Sequence, residues 1–410
     1  MAIVRGLFEK NTSDDLIKAL GNMIISGIEK KSGRLVFYDL LSDHIDRGKM
    51  LILSNGFIAK DESTRLIDYS IDRVGASHVL AFCSNGSGES FDALSAFDTR
   101  EEKADFIEML FRLVSEIAPE LQPRIRRFYS YVMLILESEG SYTLQDVFSM
   151  DVDEASERTD GLAVEASEKR KMKRFMDDES MYSSFMNIEN MITKLEDWGI
   201  VRFLSGEKKA GDVFQRGNII IFHGDNTEDE AKRNCFMNSL LYLAEKYVMN
   251  KCVDGAVVFF NQNLDFMDRE LMERMVQLNN DYQIASYHFI EDISRLIRNI
   301  GNSFLDHIKS CMVFRQGADE NAEFWSLYFG QRDMYERHYS LTRKKGWNPF
   351  SNIMKDGGVV PSGRKVNSYT QTFQKAHNPI YKIEVFRELK EFEVMVYLNE
   401  PLMRRKCKVM

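Results

Sequence analysis

The sequence predicts an α/β fold, with a mainly parallel sheet interrupted by an all-α insertion, and three observations carry that prediction. Short apolar runs alternate with amphipathic stretches, the pattern of parallel strands joined by crossover helices. The strand signal disappears between about Pro119 and Trp198 and returns after it. Four apolar residues, Val257-Val258-Phe259-Phe260, read as a buried strand and run into the amide pair Asn261-Gln262.

Taken in order, Met23-Ile24-Ile25 and Met50-Leu51-Ile52-Leu53 read as strands, with a helical pattern near Leu35 to Ile45 between them. A helix is expected from about Glu62 to Val74, then a strand from His78 to Cys83. Phe106, Leu110, Phe111 and Val114 share one face of a helix over Ala104 to Ile117. Within the insertion, Ile125 to Leu136 and Ser183 to Trp198 are helical, and Thr143 is a candidate N-cap. Asp151 to Lys173 is so charged that a solvated helix or mobile loop is expected there. The sheet resumes at Asn218 to Phe222, followed by a helix over Glu228 to Tyr247 and the strand Ala256 to Phe260. A helix at Asp268 to Leu278, a strand at Gln283 to Tyr287 and a helix around Ile290 to Ile300 come next. A strand at Lys309 to Phe314 and a helix at Asn321 to Phe329 precede alternating runs, then Glu393 to Leu398, which are expected to be late, partly antiparallel strands closing the sheet. The domain reading is a core in two parts, 1–118 and 206–410, around an insertion at 119–205.

With 44% hydrophobic and 29% charged residues, the chain is globular and long enough for more than one core. A net charge of -9 disfavours a general nucleic-acid binder, although charge can be segregated by surface. The five cysteines are scattered without any CxxC, which points to neither a zinc site nor a disulfide framework. No HxxxH, HExxH or Ser-His-Asp spacing supports a metal site or a nucleophile, and no cofactor is expected. The start Met-Ala-Ile-Val-Arg lacks signal-peptide architecture, and no apolar run approaches membrane-spanning length. These features lead us to expect a cytoplasmic protein, attached at the inner face of the membrane only through partners.

The amide pair is the most informative feature. A phosphate-loop motor ends the corresponding strand in Asp-Glu, where the Asp helps hold Mg²⁺ and the Glu takes a proton from the attacking water. Asn261 and Gln262 keep that shape without its charge, and a neutral amide is no base near neutral pH. The plainer reading is a buried strand that runs into a polar turn. A working phosphate loop reads GxxxxGK[ST]. After the first strand this chain reads Gly27-Ile28-Glu29-Lys30-Lys31-Ser32-Gly33-Arg34, with Gly33 in the Lys place and Arg34 in the place of the hydroxyl. A rival alignment over Gly6 to Ser13 also lacks the Lys. Lys30, Lys31 and Arg34 are candidates to bind an anion, or an ordinary solvated cluster. His288-Phe289 follows the Gln283 to Tyr287 run, and a histidine bonded to backbone is the simpler expectation there.

This order of elements resembles the motor domain of the type IV coupling proteins, the TraD-like ring ATPases of the RecA-like FtsK/HerA superfamily. Ile308 to Phe314, followed by Ala322-Glu323-Phe324-Trp325 and Phe329-Gly330, looks like the late region of that family. The resemblance implies a RecA-like P-loop-type core, and it makes Asn261-Gln262 the Walker B position and His288-Phe289 the position of a sensor Gln. The expected function is a catalytically inactive subunit of a type IV secretion, conjugation or related motor assembly. Its expected partners are the protein subunits of that assembly, a catalytic paralogue or further copies of the chain. Two alternatives stand beside it: a divergent ATP-driven DNA or protein translocase using Asp265 and Asp268, and a structural component of a virion or mobile element. Three basic clusters, Lys169-Arg170-Lys171 with Lys173-Arg174, Arg343-Lys344-Lys345, and Arg404-Arg405-Lys406, are read as solvated faces or contacts to acidic partners rather than nucleic-acid sites.

Overall fold

The computed structural model describes residues 22–26, 31–55, 60–84, 86, 88–224, 229–251, 257–262, 268–281, 284–301, 303–344, 366–398 and 403–408. It divides into two compact units, Met1–Gln316 with Leu389–Met410, and Gly317–Glu388.

The larger unit is built on a nine-stranded sheet of order β13-β12-β9-β1-β8-β7-β2-β6-β3. Its strands are β1 (Asn22–Ser26), β2 (Met50–Asn55), β3 (Val79–Cys83), β6 (Ile219–His223), β7 (Val257–Gln262), β8 (Ala285–Ile290), β9 (Ser310–Val313), β12 (Glu393–Leu398) and β13 (Met403–Lys408). From β9 to β3 every pairing is parallel, and β12 and β13 close the other edge antiparallel. Strand β1 therefore lies between β8 and β9, while its successor β2 lies beyond β7. In such open sheets, ligands bind outside the carboxyl ends of strands where the order reverses, as it does around β1.

Helix α1 (Lys31–Asp46) follows β1, and α2 (Lys60–Val74) follows β2. Val36, Phe37, Leu40 and Leu41 of α1, with Leu66 of α2, bury one face of the sheet against Met23, Ile25, Leu51, Leu53, Val258, Phe260, Tyr287 and Phe289. Phe37 meets Phe289 at 5.2 Å and Phe260 at 5.7 Å, both edge to face, the geometry that aromatic quadrupoles favour. Gly48, at φ +61°, ends α1 with its N–H on the Ile45 carbonyl, a left-handed stop available to glycine at little cost.

Between β3 and β6 lies a helical segment. It holds α3 (Arg100–Val114), α4 (Gln122–Glu139), α5 (Leu144–Ser149), α6 (Val152–Arg158), α7 (Ala166–Met176), α8 (Glu179–Asp197), α9 (Ile200–Phe203) and α10 (Ala210–Val213). A two-stranded ladder of β4 (Phe91–Asp92) and β5 (Lys208–Lys209) brings the two ends of that segment together. Thr99 caps α3: its hydroxyl accepts from Glu102 N–H and its own N–H donates to the Glu102 carboxylate. Thr143 occupies the N-cap of α5, where both its N–H and its hydroxyl donate to Asp146. Phe111, Phe128, Tyr129 and Phe148 are buried inside the segment, with Phe111 stacked on Phe148 at 5.4 Å. The charged stretch Asp151 to Lys173 is helical over α6 and most of α7 and largely exposed, the solvated helix of the two forms expected, with buried Val152, Ala155 and Met172 anchoring it.

Helices α11 (Glu230–Asn250) and α12 (Arg269–Asp281) precede β7 and β8 respectively, and α13 (Ile293–Ile300) follows β8. The smaller unit comprises α14 (Asp319–Tyr328), an antiparallel ribbon of β10 (Gln331–Lys344) with β11 (Val366–Pro379), and α15 (Ile383–Arg387). That ribbon forms its own two-stranded sheet, which corrects the expectation that all the late strands close the main one. Within this unit Trp325 is fully buried, and Phe329 packs on Phe386 at 5.3 Å.

Phe260 is fully enclosed beneath α1. Phe260→Ala is expected to destabilise the chain by about 3–5 kcal/mol through lost transfer energy and the cavity left behind, read by denaturant unfolding.

Candidate functional site

The carboxyl ends of β1, β8 and β7 lie side by side. Register pairs Ile24 with His288 and His288 with Asn261. The first turn of α1 begins five residues after Ser26, at Lys31. Gly27 and Lys30 lie outside the described residues, as do the rival segment Gly6 to Ser13 and Asp265. Lys31, Ser32 and Gly33 form the opening turn of α1, and Arg34 follows them, exposed.

Two expectations about strand ends are corrected. Asn261 and Gln262 are the last two residues of β7 rather than a turn behind it. His288 and Phe289 sit inside β8, which runs on to Ile290. Both extensions have one cause: β8 is hydrogen-bonded on each side, to β1 and to β7, so the ladder continues as long as its neighbours do. Alternation then separates the two sensor-position residues. Phe289 joins the core beneath α1, whereas His288 and Asn261 belong to the opposite face.

On that opposite face, β1, β8 and β7 carry a seam of buried polar side chains. Asn22, Asn261, Ser286 and His288 are all fully inaccessible to solvent. The Asn261 amide lies 3.4 Å from His288 Nδ1, and His288 Nε2 lies 3.1 Å from Ser286 Oγ. Ser286 in turn donates to Asn22 Oδ1, and the Asn22 amide donates to the His307 carbonyl at 3.4 Å. An amide N–H is a donor only, so His288 Nδ1 accepts and its Nε2 carries the proton passed toward Ser286. The donors thus run one way across three strands, through neutral groups. His288 therefore bonds to side chains, not to backbone as the sequence suggested. The sequence reading missed Asn22 and Ser286, although their signal was present: polar residues two apart (Ser286, His288) in otherwise apolar strands.

Burial lowers the His288 pKa from 6.5 to about 3, which keeps the ring neutral. Asn261 Oδ1 is buried and has no hydrogen-bond partner among the described residues. Ser26, at the end of β1, donates to Gln316 Oε1 at 3.3 Å, while the Gln316 amide donates to the Phe314 carbonyl. On the α1 side, His44 Nε2 lies 2.9 Å from the Tyr287 hydroxyl. Burial, followed by Arg47 and Lys49, holds His44 at about 3.

Asp268 is exposed and caps α12, its carboxylate accepting from Leu271 N–H at 3.1 Å while its own N–H donates to Asn238. Among the described residues, no cluster of three His, Cys, Asp or Glu has the arrangement of a metal site. The β7–β8 half of the site does not fit a magnesium triphosphate. Its innermost side chains are neutral, mutually bonded and closed to solvent, whereas Mg²⁺ takes anionic oxygens and water.

The fold is that of the coupling protein TrwB and of VirB4. The bacterial conjugative coupling protein TrwB, in a crystal form with sulphate, matches with a TM-score of 0.63 at 9% identity over 96% of this chain and 85% of that one. The plasmid coupling protein TrwB in complex with ADP and Mg²⁺ matches at 0.61, with 10% identity over 97% and 86%. VirB4 of Thermoanaerobacter pseudethanolicus matches at 0.55, with 10% identity over 95% and 89%. No protein-family profile matches the sequence, and no curated protein does. The RecA-like core expected from the order of elements is therefore present.

Both buried histidines have folded pKa values below the unfolded one, so as pH falls the unfolded chain binds protons that the folded chain refuses. Stability present at neutral pH should decline as pH drops from about 6.5 toward 3, by ~1.4 kcal/mol per pH unit for each histidine. Urea unfolding at pH 7 and pH 5 checks this, and His288→Gln should flatten the dependence; an unchanged slope would refute the assignment. Asn261→Asp should raise the His288 pKa by placing a carboxylate beside the ring, a shift readable from its proton resonances.

Proposed function

We propose that this chain is a catalytically inactive, coupling-protein-like subunit, a structural or adaptor component of a type IV secretion, conjugation or related motor assembly. One observation carries the reading: the amide at the Walker B position is part of a neutral seam. A motor's Asp there would face metal and phosphate. Here Asn261 donates to a histidine that burial keeps uncharged, and a carboxylate in its place could only accept. The amide and the neutral ring suit each other, so the substitution reads as a settled arrangement. With Gln262 in place of the base and Gly33 in the lysine position, phosphoryl transfer lacks its principal electrostatic supports.

The coupling protein TrwB has been seen with ADP and Mg²⁺ in a fold of this kind. By analogy we place the present chain among motor subunits, where it would contact other protein subunits, further copies of itself or a catalytic paralogue. The helical segment at 119–205 would serve as an insertion domain within that core. Among the described residues no helix is long and apolar enough to cross a membrane, and attachment to the inner face would run through partners. The translocase alternative requires Asp265 or Asp268, and Asp268 is already engaged as a helix cap.

Titration calorimetry with ATP and Mg²⁺ tests the proposal. No saturable heat at millimolar nucleotide and no phosphate release above background are expected. Micromolar binding together with turnover would put the translocase in its place.

A further inference from the structure

The basic run on α7 is divided in two by the fold. Lys169 donates to the Asp160 carbonyl at 2.8 Å and Lys173 to the Asp160 carboxylate at 2.7 Å. Arg170, Lys171 and Arg174 are exposed, and none of them is ion-paired among the described residues; Arg170 makes only a bond to the Ala166 carbonyl of its own helix. One turn beyond Lys171, Phe175 meets Tyr131 of α4 edge to face at 5.7 Å. The exposed Arg127 guanidinium lies 5.3 Å from the Phe175 ring centre and 5.9 Å from that of Tyr131, and its Nε donates to the Tyr131 hydroxyl. Cation–π contact leaves its charge unneutralised. Arg127 and Tyr131 also line an open cleft of about 550 Å³ beside α3, whose remaining wall includes the apolar Ala104 and Pro123, the paired Asp105 and Arg126, and the exposed Glu101 at its α3 end. Arg126 is already paired with Asp105 and Glu108, so Arg127 is the cation left for a ligand.

We propose that this cleft and the adjoining stripe dock an acidic peptide segment of a partner protein. Its carboxylates would be taken by Arg127, Arg170, Lys171 and Arg174, and an apolar side chain would enter the cleft. Three of those four cations are arginines, whose planar forks match carboxylates in paired hydrogen bonds. The two rings are engaged with Arg127 and with each other, which disfavours a single-stranded nucleic acid that would stack its bases on them. A planar bilayer cannot follow a cleft, and none of the exposed large apolar side chains among the described residues, Leu35, Met186 and Leu327, lines it. Glu165 and Glu168 flank the stripe on the same helix end, so attraction is local, within a Debye length of about 8 Å at physiological salt. The inference goes beyond the proposed adaptor role and holds or fails independently of whether nucleotide binds.

Fluorescence anisotropy of the full chain with a labelled dodecapeptide of Glu and Asp around one central Leu provides the test. Saturable binding that weakens with salt is expected. Arg170→Gln/Lys171→Gln/Arg174→Gln should weaken it on the order of tenfold or more, since each exposed pair contributes up to about fivefold. Arg127→Gln should weaken it as well, while Lys173→Gln, whose charge Asp160 already holds, should leave it unchanged. Circular dichroism melts of all variants should match the parent. The proposal fails if the peptide does not bind at low salt, or if the triple variant binds it as the parent does. It fails equally if a single-stranded oligonucleotide or anionic vesicles bind more tightly than the peptide and lose that binding in the same variant.

Discussion

The constraint on which the structure rests is the position of β1, hydrogen-bonded in parallel on both sides and buried along its whole length. A strand so placed offers no side chain to water. Its apolar residues Met23 and Ile25 pack beneath α1, and its polar ones, Asn22 and Ser26, must find partners in the interior, because an unpaired buried polar group is costly. Ser286 and Gln316 meet that need, and through Ser286 the requirement passes to His288 and then to Asn261. A polar seam thus runs obliquely across three strands, from the first residue of β1 to the penultimate residue of β7.

The two faces of the sheet along β1, β8 and β7 differ in kind. Beneath α1 the side chains are aromatic and apolar, and Phe289 belongs there as ordinary core. On the far face the seam is uncharged, and its donors run in one direction. An ionised carboxylate inserted into that row would be a buried charge whose nearest recourse is to draw a proton onto His288. The neutral amide and the neutral ring are therefore linked choices.

Much of the fold was legible in the sequence because parallel strands buried on both faces are short unbroken apolar runs: Val257 to Phe260, Met50 to Leu53 and Asn218 to Phe222 each coincide with a strand. Helices with capping signals, such as the one that Thr143 opens, were equally readable. Strand ends were not, since β8 continues through His288 to Ile290 only because both neighbours continue beside it. The smaller unit was missed for a related reason. Alternating runs announce strands, but whether a ribbon joins a sheet or stands as its own pair depends on pairing partners distant in the chain. At the site, the absence of carboxylates was visible in Asn261 and Gln262, but the seam itself was not. Its members lie as far apart as Asn22 and Ser286, and no local pattern links them.

By itself, the sequence determined which chemistry Asn261 and Gln262 can perform, because side-chain identity alone decides whether a group can carry charge, accept a proton or only donate and accept hydrogen bonds. It also determined the succession of strands and helices, because burial periodicity is a local property of the chain. Only the tertiary structure decided that Asn261 donates to a histidine held neutral and that His288 and Phe289 belong to opposite faces. It likewise left Arg127, Arg170, Lys171 and Arg174 without carboxylate partners among the described residues, while Lys169 and Lys173 turned to Asp160. Those outcomes depend on which residues remote in sequence come within a few ångströms, and on how much water is excluded when they do.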